Sequence, residues 1–184
     1  EDPPFAPAAV LEKMNSRFTA SILPGNFATM FLGRWHPDSR ELCWTSAGHE
    51  SGILLKASGG LDQLRSSGLP LGIDLDAEWE QQTTTLAVGD RLLLYSDGAT
   101  ETRGANGDLF GRERLVAWYS RQVNSVSDEA LAGLSDTLRE YRGDRPRADD
   151  LTLVELICTT KSEVNNDQSV HLSHATASLE RLEI

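Results

Sequence analysis

The sequence predicts an α+β domain, and three observations predict it. Apolar residues near the start recur with helical period. A run of short apolar segments follows, punctuated by Gly, Pro, Asn and Asp. Two further helical-period segments then lead to a returning apolar strand. Strand-like and helix-like segments are thus segregated, the pattern of α+β rather than of alternating βαβ units. The chain has 184 residues, enough for one domain and a remainder, with a core that needs no disulfide staples.

Each element has its own reason. Residues 1–7 (EDPPFAP) are a Pro-rich lead-in that regular helix does not accommodate. From Ala8 to Ile22, the residues Leu11, Met14, Phe18 and Ile22 share one face, which predicts an amphipathic helix. Pro24-Gly25 ends it. Residues 26–34 predict a strand, His36-Pro37-Asp38-Ser39 a hairpin turn, and residues 40–46 a second strand. Residues 52–57 predict a third, turned by Ser58-Gly59-Gly60, and 61–64 a short fourth. Gly68 to Gly72 (GLPLG) is a rigid loop, and 82–87 a further strand. In 91–96 the unbroken apolar stretch Leu92-Leu93-Leu94-Tyr95 predicts a strand buried on both faces. Gly111–Gln122 and Asp128–Tyr141 predict helices, the second opened by a capping box of Ser125 with Asp128. Residues 143–148 form a loop, and 150–158 a last strand, again apolar on both sides. Residues 159–170 are polar and without period, a linker. In 171–184, Leu172, Ala175, Leu179 and Leu182 recur at helical spacing and predict the opening of another helix, leading towards a further domain.

Charge excludes some functions. Seventeen basic against 28 acidic residues give a net charge of −11, the wrong sign for a nucleic-acid backbone or an anionic membrane surface. No apolar run approaches a membrane span, and no signal segment opens the chain. The two cysteines, Cys43 and Cys158, lie far apart, so neither a disulfide framework nor a cysteine zinc site is expected. A reducing, cytoplasmic setting is the expectation. A chain that begins at Glu1 rather than Met reads as part of something longer.

Two acidic turns could carry chemistry. Tyr95-Ser96-Asp97-Gly98 ends one buried strand, and Asp149-Asp150-Leu151-Thr152 opens another. Alone, the first reads equally as a plain Asp-Gly turn, and the second as a solvated strand end neutralised by Arg145 and Arg147. Together they say more. Strands so apolar belong side by side at a sheet centre, and their carboxylates would then converge on an all-oxygen site. Such a site suits Mg²⁺ or Mn²⁺ rather than zinc, and paired cations suit phosphoester hydrolysis. Ser46-Ala47-Gly48-His49 invites a nucleophile–base reading, but no Gly-x-Ser-x-Gly elbow and no third member accompany it. His49 is expected to be a strand-end residue.

Six segments in order resemble the SpoIIE/RsbU-type branch of the PPM (protein phosphatase type 2C) Ser/Thr phosphatases. They are Phe27–Phe31, Ser46–His49, Gly68–Gly72, Gly89–Glu101, Phe110–Leu115 and Asp149–Thr152. The resemblance covers residues 8–158. It implies a four-layer αββα sandwich of two antiparallel sheets flanked by helices, incomplete at the N-terminus, with 159–184 as linker and the start of further structure. It implies a binuclear Mn²⁺ or Mg²⁺ centre with Asp97 and Asp149 as ligands, Asp150 being the alternative to Asp149. The implied substrate is a phosphorylated anti-sigma-factor antagonist, released from its phosphate in a partner switch that frees a sigma factor. A fused sensor or receiver domain, a kinase-like anti-sigma module and a homodimer are further partners that the resemblance admits. One departure stands out. The family's upstream Gly-Asp motif, which supplies the carboxylate bridging both metals, has no counterpart. Gly89-Asp90, Gly107-Asp108 and Gly143-Asp144 all lack its continuation. A truncated phosphatase domain is the expectation, and a non-catalytic binding module is the alternative.

Overall fold

The computed structural model describes residues 6–23, 25–123, 127–159 and 172–176. The chain divides into two compact units, one of residues 1–51 and 65–87, the other of 52–64 and 88–184. Each holds one antiparallel sheet, the first unit with one helix and the second with three among the described residues, the α+β class expected.

In the first unit, helix α1 (Pro7–Thr19) precedes strands β1 (Met30–His36), β2 (Glu41–Ala47) and β5 (Gln82–Thr85), ordered β1-β2-β5. Proline at the first turn starts α1, where no backbone N–H is needed. Leu11 packs with Ala47, Leu71 and Trp79, and Phe18 and Met30 lie against that cluster. Asn15 is fully buried at the same helix face. Its amide donates to the carbonyls of Asp74 (2.8 Å) and Leu75 (3.2 Å), and its Oδ1 accepts from the Gly72 N–H (2.9 Å). The side chain thereby satisfies the backbone of a loop that has no ladder of its own.

The second unit holds β3 (Gly52–Leu55), β4 (Leu61–Leu64), β6 (Arg91–Tyr95), β7 (Thr152–Ile157) and β8 (Leu172–Thr176), ordered β4-β3-β6-β7-β8. Its helices are the one-turn α2 (Asp97–Thr100), α3 (Gly111–Tyr119), followed by a 3₁₀ turn at Ser120–Gln122, and α4 (Ser127–Arg142). Alternate residues of the central strands, Ile53, Leu55, Leu93, Tyr95 and Leu153, pack with Leu115, Tyr119, Leu131, Leu134 and Leu138 of α3 and α4. Leu54 and Leu92, on the intervening positions, are also buried. That accounts for the unbroken apolar run of β6. In β7 one set of alternate residues, Leu153 and Glu155, is buried and the other half-buried, apart from exposed Thr152.

One expectation is corrected. Leu172–Thr176 is not helical but forms β8, in register with β7 from Leu156↔Leu172 to Thr152↔Thr176. The backbone ladder offered by the edge of β7 overrides a weak helical spacing, and 150–158 is not the last strand. Residues 177–184 and the Ser125 cap lie outside the described residues.

Candidate functional site

Strands β6 and β7 are neighbours and antiparallel, with Tyr95 opposite Leu153 and Leu94 opposite Val154. The end of β6 and the start of β7 therefore lie at one edge of the sheet. Asp97 follows β6 by two residues, and Asp149 and Asp150 precede β7. Both acidic turns thus sit at the same end of the pair.

Ser96 ties the two turns together. Its N–H donates to the Thr152 carbonyl (3.0 Å), and its hydroxyl donates to the Asp150 carbonyl (2.9 Å) while accepting from the Thr152 N–H (3.0 Å). Gly98 sets the distance of approach. A Cβ built there would lie 2.3 Å from the Asp150 carbonyl oxygen, so only glycine allows this contact. Asp97-Gly98 is accordingly neither a plain turn nor a bare strand edge. It opens α2, whose first carbonyl, that of Asp97, accepts from the Glu101 N–H (2.7 Å) and the Thr100 hydroxyl (3.2 Å). Arg112, in the Phe110–Leu115 segment, donates to the Tyr95 hydroxyl and so pins the last residue of β6 to α3.

Asp97, Asp149 and Asp150 are all exposed. Asp149 Oδ1 accepts from the Asp150 N–H (2.7 Å). Among the described residues none of the three forms an ion pair. Arg145 and Arg147 do not neutralise them, and Arg145 instead donates to the Ala105 carbonyl (2.9 Å). Three carboxylates at one edge without a basic partner repel one another until a cation joins them. Among the described residues, however, no group of three or more His, Cys, Asp or Glu is arranged to hold a metal ion.

The Ser46–His49 segment has another role. Ser46 is buried in β2, and its Oγ has no hydrogen-bond partner among the described residues, so no serine–histidine pair forms. Gly48 has φ +63°, and a Cβ there would meet Pro70 at 2.5 Å. Its N–H donates to the Gly68 carbonyl (3.1 Å) and to Ser66 Oγ (2.8 Å). Ser46–His49 and Gly68–Gly72 are therefore two halves of one structural contact.

Fold and acidic edge first define a class: an α+β protein of two antiparallel sheets, in which the paired strands β6 and β7 of the five-stranded sheet bring carboxylates to one end. Solved structures share that fold. The SiaA-PP2C domain of Pseudomonas aeruginosa superposes with a TM-score of 0.70 at 24% identity, covering 82% of this chain and 60% of that one. The RsbU and RsbW domains of a Mycobacterium tuberculosis protein give 0.63 at 26% identity, covering 83% and 42%. The model of the family "Stage II sporulation protein E (SpoIIE)" matches residues 2–158, and the chain belongs to that family. It is also 32% identical over 151 residues to the phosphoserine phosphatase RsbU of Bacillus subtilis (strain 168). That match covers 82% of this chain and 44% of RsbU, so the chain spans less than half the length of that relative.

Proposed function

We propose that the chain is part of a metal-dependent protein serine/threonine phosphatase, residues 1–158 forming the C-terminal portion of its phosphatase domain and β8 (Leu172–Thr176) adding a strand beside β7 in the same sheet. One observation carries this reading: Asp97 and Asp149 stand at the same end of paired β6 and β7, exposed and without a basic partner among the described residues. Membership of the SpoIIE family and the likeness to a phosphoserine phosphatase support it.

The donor set fits a hard divalent cation in kind. All its atoms are carboxylate or carbonyl oxygens, the ligands of Mg²⁺ and Mn²⁺ and not of zinc. Asp97 and Asp149 would hold the cation, with Asp150 the alternative to Asp149. Bound there, it would supply charge that polarises a phosphoryl oxygen and acidifies water. The chain's own part is positional. Ser96 fixes the spacing of the two acidic turns, Gly98 lets them meet, and Arg112 holds the strand end from behind.

The substrate is a phosphoserine or phosphothreonine on an anti-sigma-factor antagonist, and its dephosphorylation switches the antagonist's partner. A fused sensor, receiver or anti-sigma kinase domain and a homodimer belong to the same reading, as does a cytoplasmic setting. Among the described residues no helix is long and apolar enough to cross a membrane. A second reading is a non-catalytic module that docks the antagonist or its anti-sigma factor; it is supported by the absence, among the described residues, of three or more His, Cys, Asp or Glu arranged to hold a metal ion.

The test is turnover of a phosphorylated antagonist by the full-length protein with Mn²⁺. Asp97→Asn and Asp149→Asn are each expected to lower the rate by about a hundredfold or more, since even outer-shell partners of a metal cost 10–100-fold. Undiminished turnover in both variants would overturn the assignment. Calorimetry separates the two readings, because a docking module takes up no pair of Mn²⁺ ions.

A further inference from the structure

Arg139, Arg142, Arg145 and Arg147 fall within nine residues, a basic stretch in a chain of net charge −11. Arg145 is engaged with the Ala105 carbonyl. The other three line a solvent-open cleft together with Gly98, Thr102 and Ser135. The cleft lies between α4, the segment that leads into β7, and the turn that follows Asp97.

The arginines there are under-used. Arg142 Nε is buried and has no hydrogen-bond partner among the described residues. An orphaned buried donor is costly and calls for a physical account, which an acceptor in the cleft supplies. Arg147 is exposed and makes no ion pair among the described residues. Arg139 has only an exposed i,i+3 contact with Asp136 (2.8 Å). The Ser135 hydroxyl, on the same wall, can rotate to donate.

Guanidinium groups converging on one cleft match an oxyanion, and their planar forks suit the several acceptors of a phosphate. A dianion answers two or three arginines better than a single carboxylate does. We propose that this cleft is a phosphate-binding pocket, distinct from Asp97 and Asp149, that takes a phosphate dianion either free or carried on a protein side chain. Besides Asp136, which contacts Arg139, the negative charge that faces it is the acidic edge, since Gly98 of the lining follows Asp97 directly. A cation held at that edge would relieve the repulsion, so cation and phosphate would tighten each other's binding by the same factor.

The pocket does not depend on phosphatase activity, and the test avoids it. The chain is stripped of metal with a chelator and titrated by calorimetry, at neutral pH and fixed ionic strength, with inorganic phosphate and with a phosphoserine peptide. Saturable binding of one equivalent is expected, with backbone amide shifts moving at Gly98 and Ser135. Arg142→Gln and Arg147→Gln are each expected to weaken binding roughly tenfold, the size of a lost charge-assisted hydrogen bond. Arg147 is exposed, so its variant reads the site without disturbing the core. Tighter binding of the peptide identifies a protein-borne phosphoryl group as the occupant, and equal or weaker binding identifies free phosphate. Absence of saturable binding, or undiminished binding by Arg147→Gln, overturns the proposal. Either failure leaves Mn²⁺ binding and turnover at Asp97 and Asp149 to be judged separately.

Discussion

The two ends of the β6–β7 pair treat charge in opposite ways. At one end, Arg91 and Glu155 are buried and paired, with guanidinium Nε and Nη2 donating to the carboxylate at 2.8 and 2.9 Å. The Tyr119 hydroxyl donates to the same carboxylate (2.7 Å), and Arg91 Nη1 caps the Gln122 carbonyl (2.8 Å). At the other end, Asp97, Asp149 and Asp150 are exposed and have no cation beside them among the described residues. One end is a closed network whose partners all come from the chain. The other is open and calls for a partner from outside. Charge that the fold itself compensates serves the fold, whereas charge left uncompensated at a sheet edge is available to bind.

The closed end should break hardest. Glu155→Ala takes the carboxylate from the buried Arg91 guanidinium, and the expected loss is about 3–5 kcal/mol in a urea titration. Replacing both members, Arg91→Met with Glu155→Leu, should recover most of it, because an apolar pair of similar volume needs no compensation. A single-variant loss below about 1 kcal/mol would mean that water reaches the pair.

Tyr119 sharpens the same point through pH. Burial, and then the Glu155 charge, push the phenol well above its ordinary value of 10.0. Burial, the largest single effect, would lower Arg91, but the hydrogen bond and charge of Glu155 together with Tyr119 more than offset it and raise the guanidinium above its ordinary value. A tyrosine raised in the folded state contributes stability that is whole below pH ~10. That stability falls as pH rises towards the folded value, because the unfolded chain releases the proton first. Urea midpoints of the wild type should therefore drop more steeply above pH ~10 than those of Tyr119→Phe. At neutral pH the same variant should lose about 1.5–3 kcal/mol, the worth of a hydrogen bond to a charged group. Parallel pH profiles would show that the phenol is not held by Glu155.

At the open end, Gly98→Ala tests the contact that brings the acidic turns together. The added Cβ meets backbone, the Asp150 carbonyl, at 2.3 Å, so the turns must part. An overpacking cost of about 1–3 kcal/mol is expected, with loss of Mn²⁺ binding by calorimetry. Full retention of both would mean that the edge yields freely.

Local pattern made much of this legible. The helical spacing of Leu11, Met14 and Phe18 marked α1, and the unbroken Leu92–Tyr95 run marked a strand buried on both faces. Asp97 and Asp149 stood out because each adjoins such a strand, and pairing apolar strands at a sheet centre placed them at one edge. What depended on distant partners was not legible. Asn15 looks like a solvent-facing residue of an amphipathic helix until the loop at 72–75 is folded over it. Glu155 interrupts an apolar strand, and only Arg91 and Tyr119, 64 and 36 residues away, explain it. Arg142 reads as a basic residue in the last turn of a helix, and its buried, unpartnered Nε has no signature in spacing. Leu172–Thr176 carries a helix-like period, and the free edge of β7 decides otherwise.

The smallest effect separates binding from folding most directly. Asp97→Asn and Asp149→Asn remove charge from exposed positions whose neighbours are other carboxylates. Their effect on stability should stay within about 0.5 kcal/mol, as for surface substitutions in general, with a small gain from lost repulsion equally consistent. Asparagine keeps the side-chain oxygen that accepts from the Asp150 N–H, so the turn geometry survives the Asp149 change. The same variants should lose the Mn²⁺ isotherm. A stability loss above about 1.5 kcal/mol would exceed what an exposed charge contributes, and would place these carboxylates with Glu155 as parts of the scaffold. Unchanged stability with lost cation binding would leave the two ends as opposed as their surroundings are.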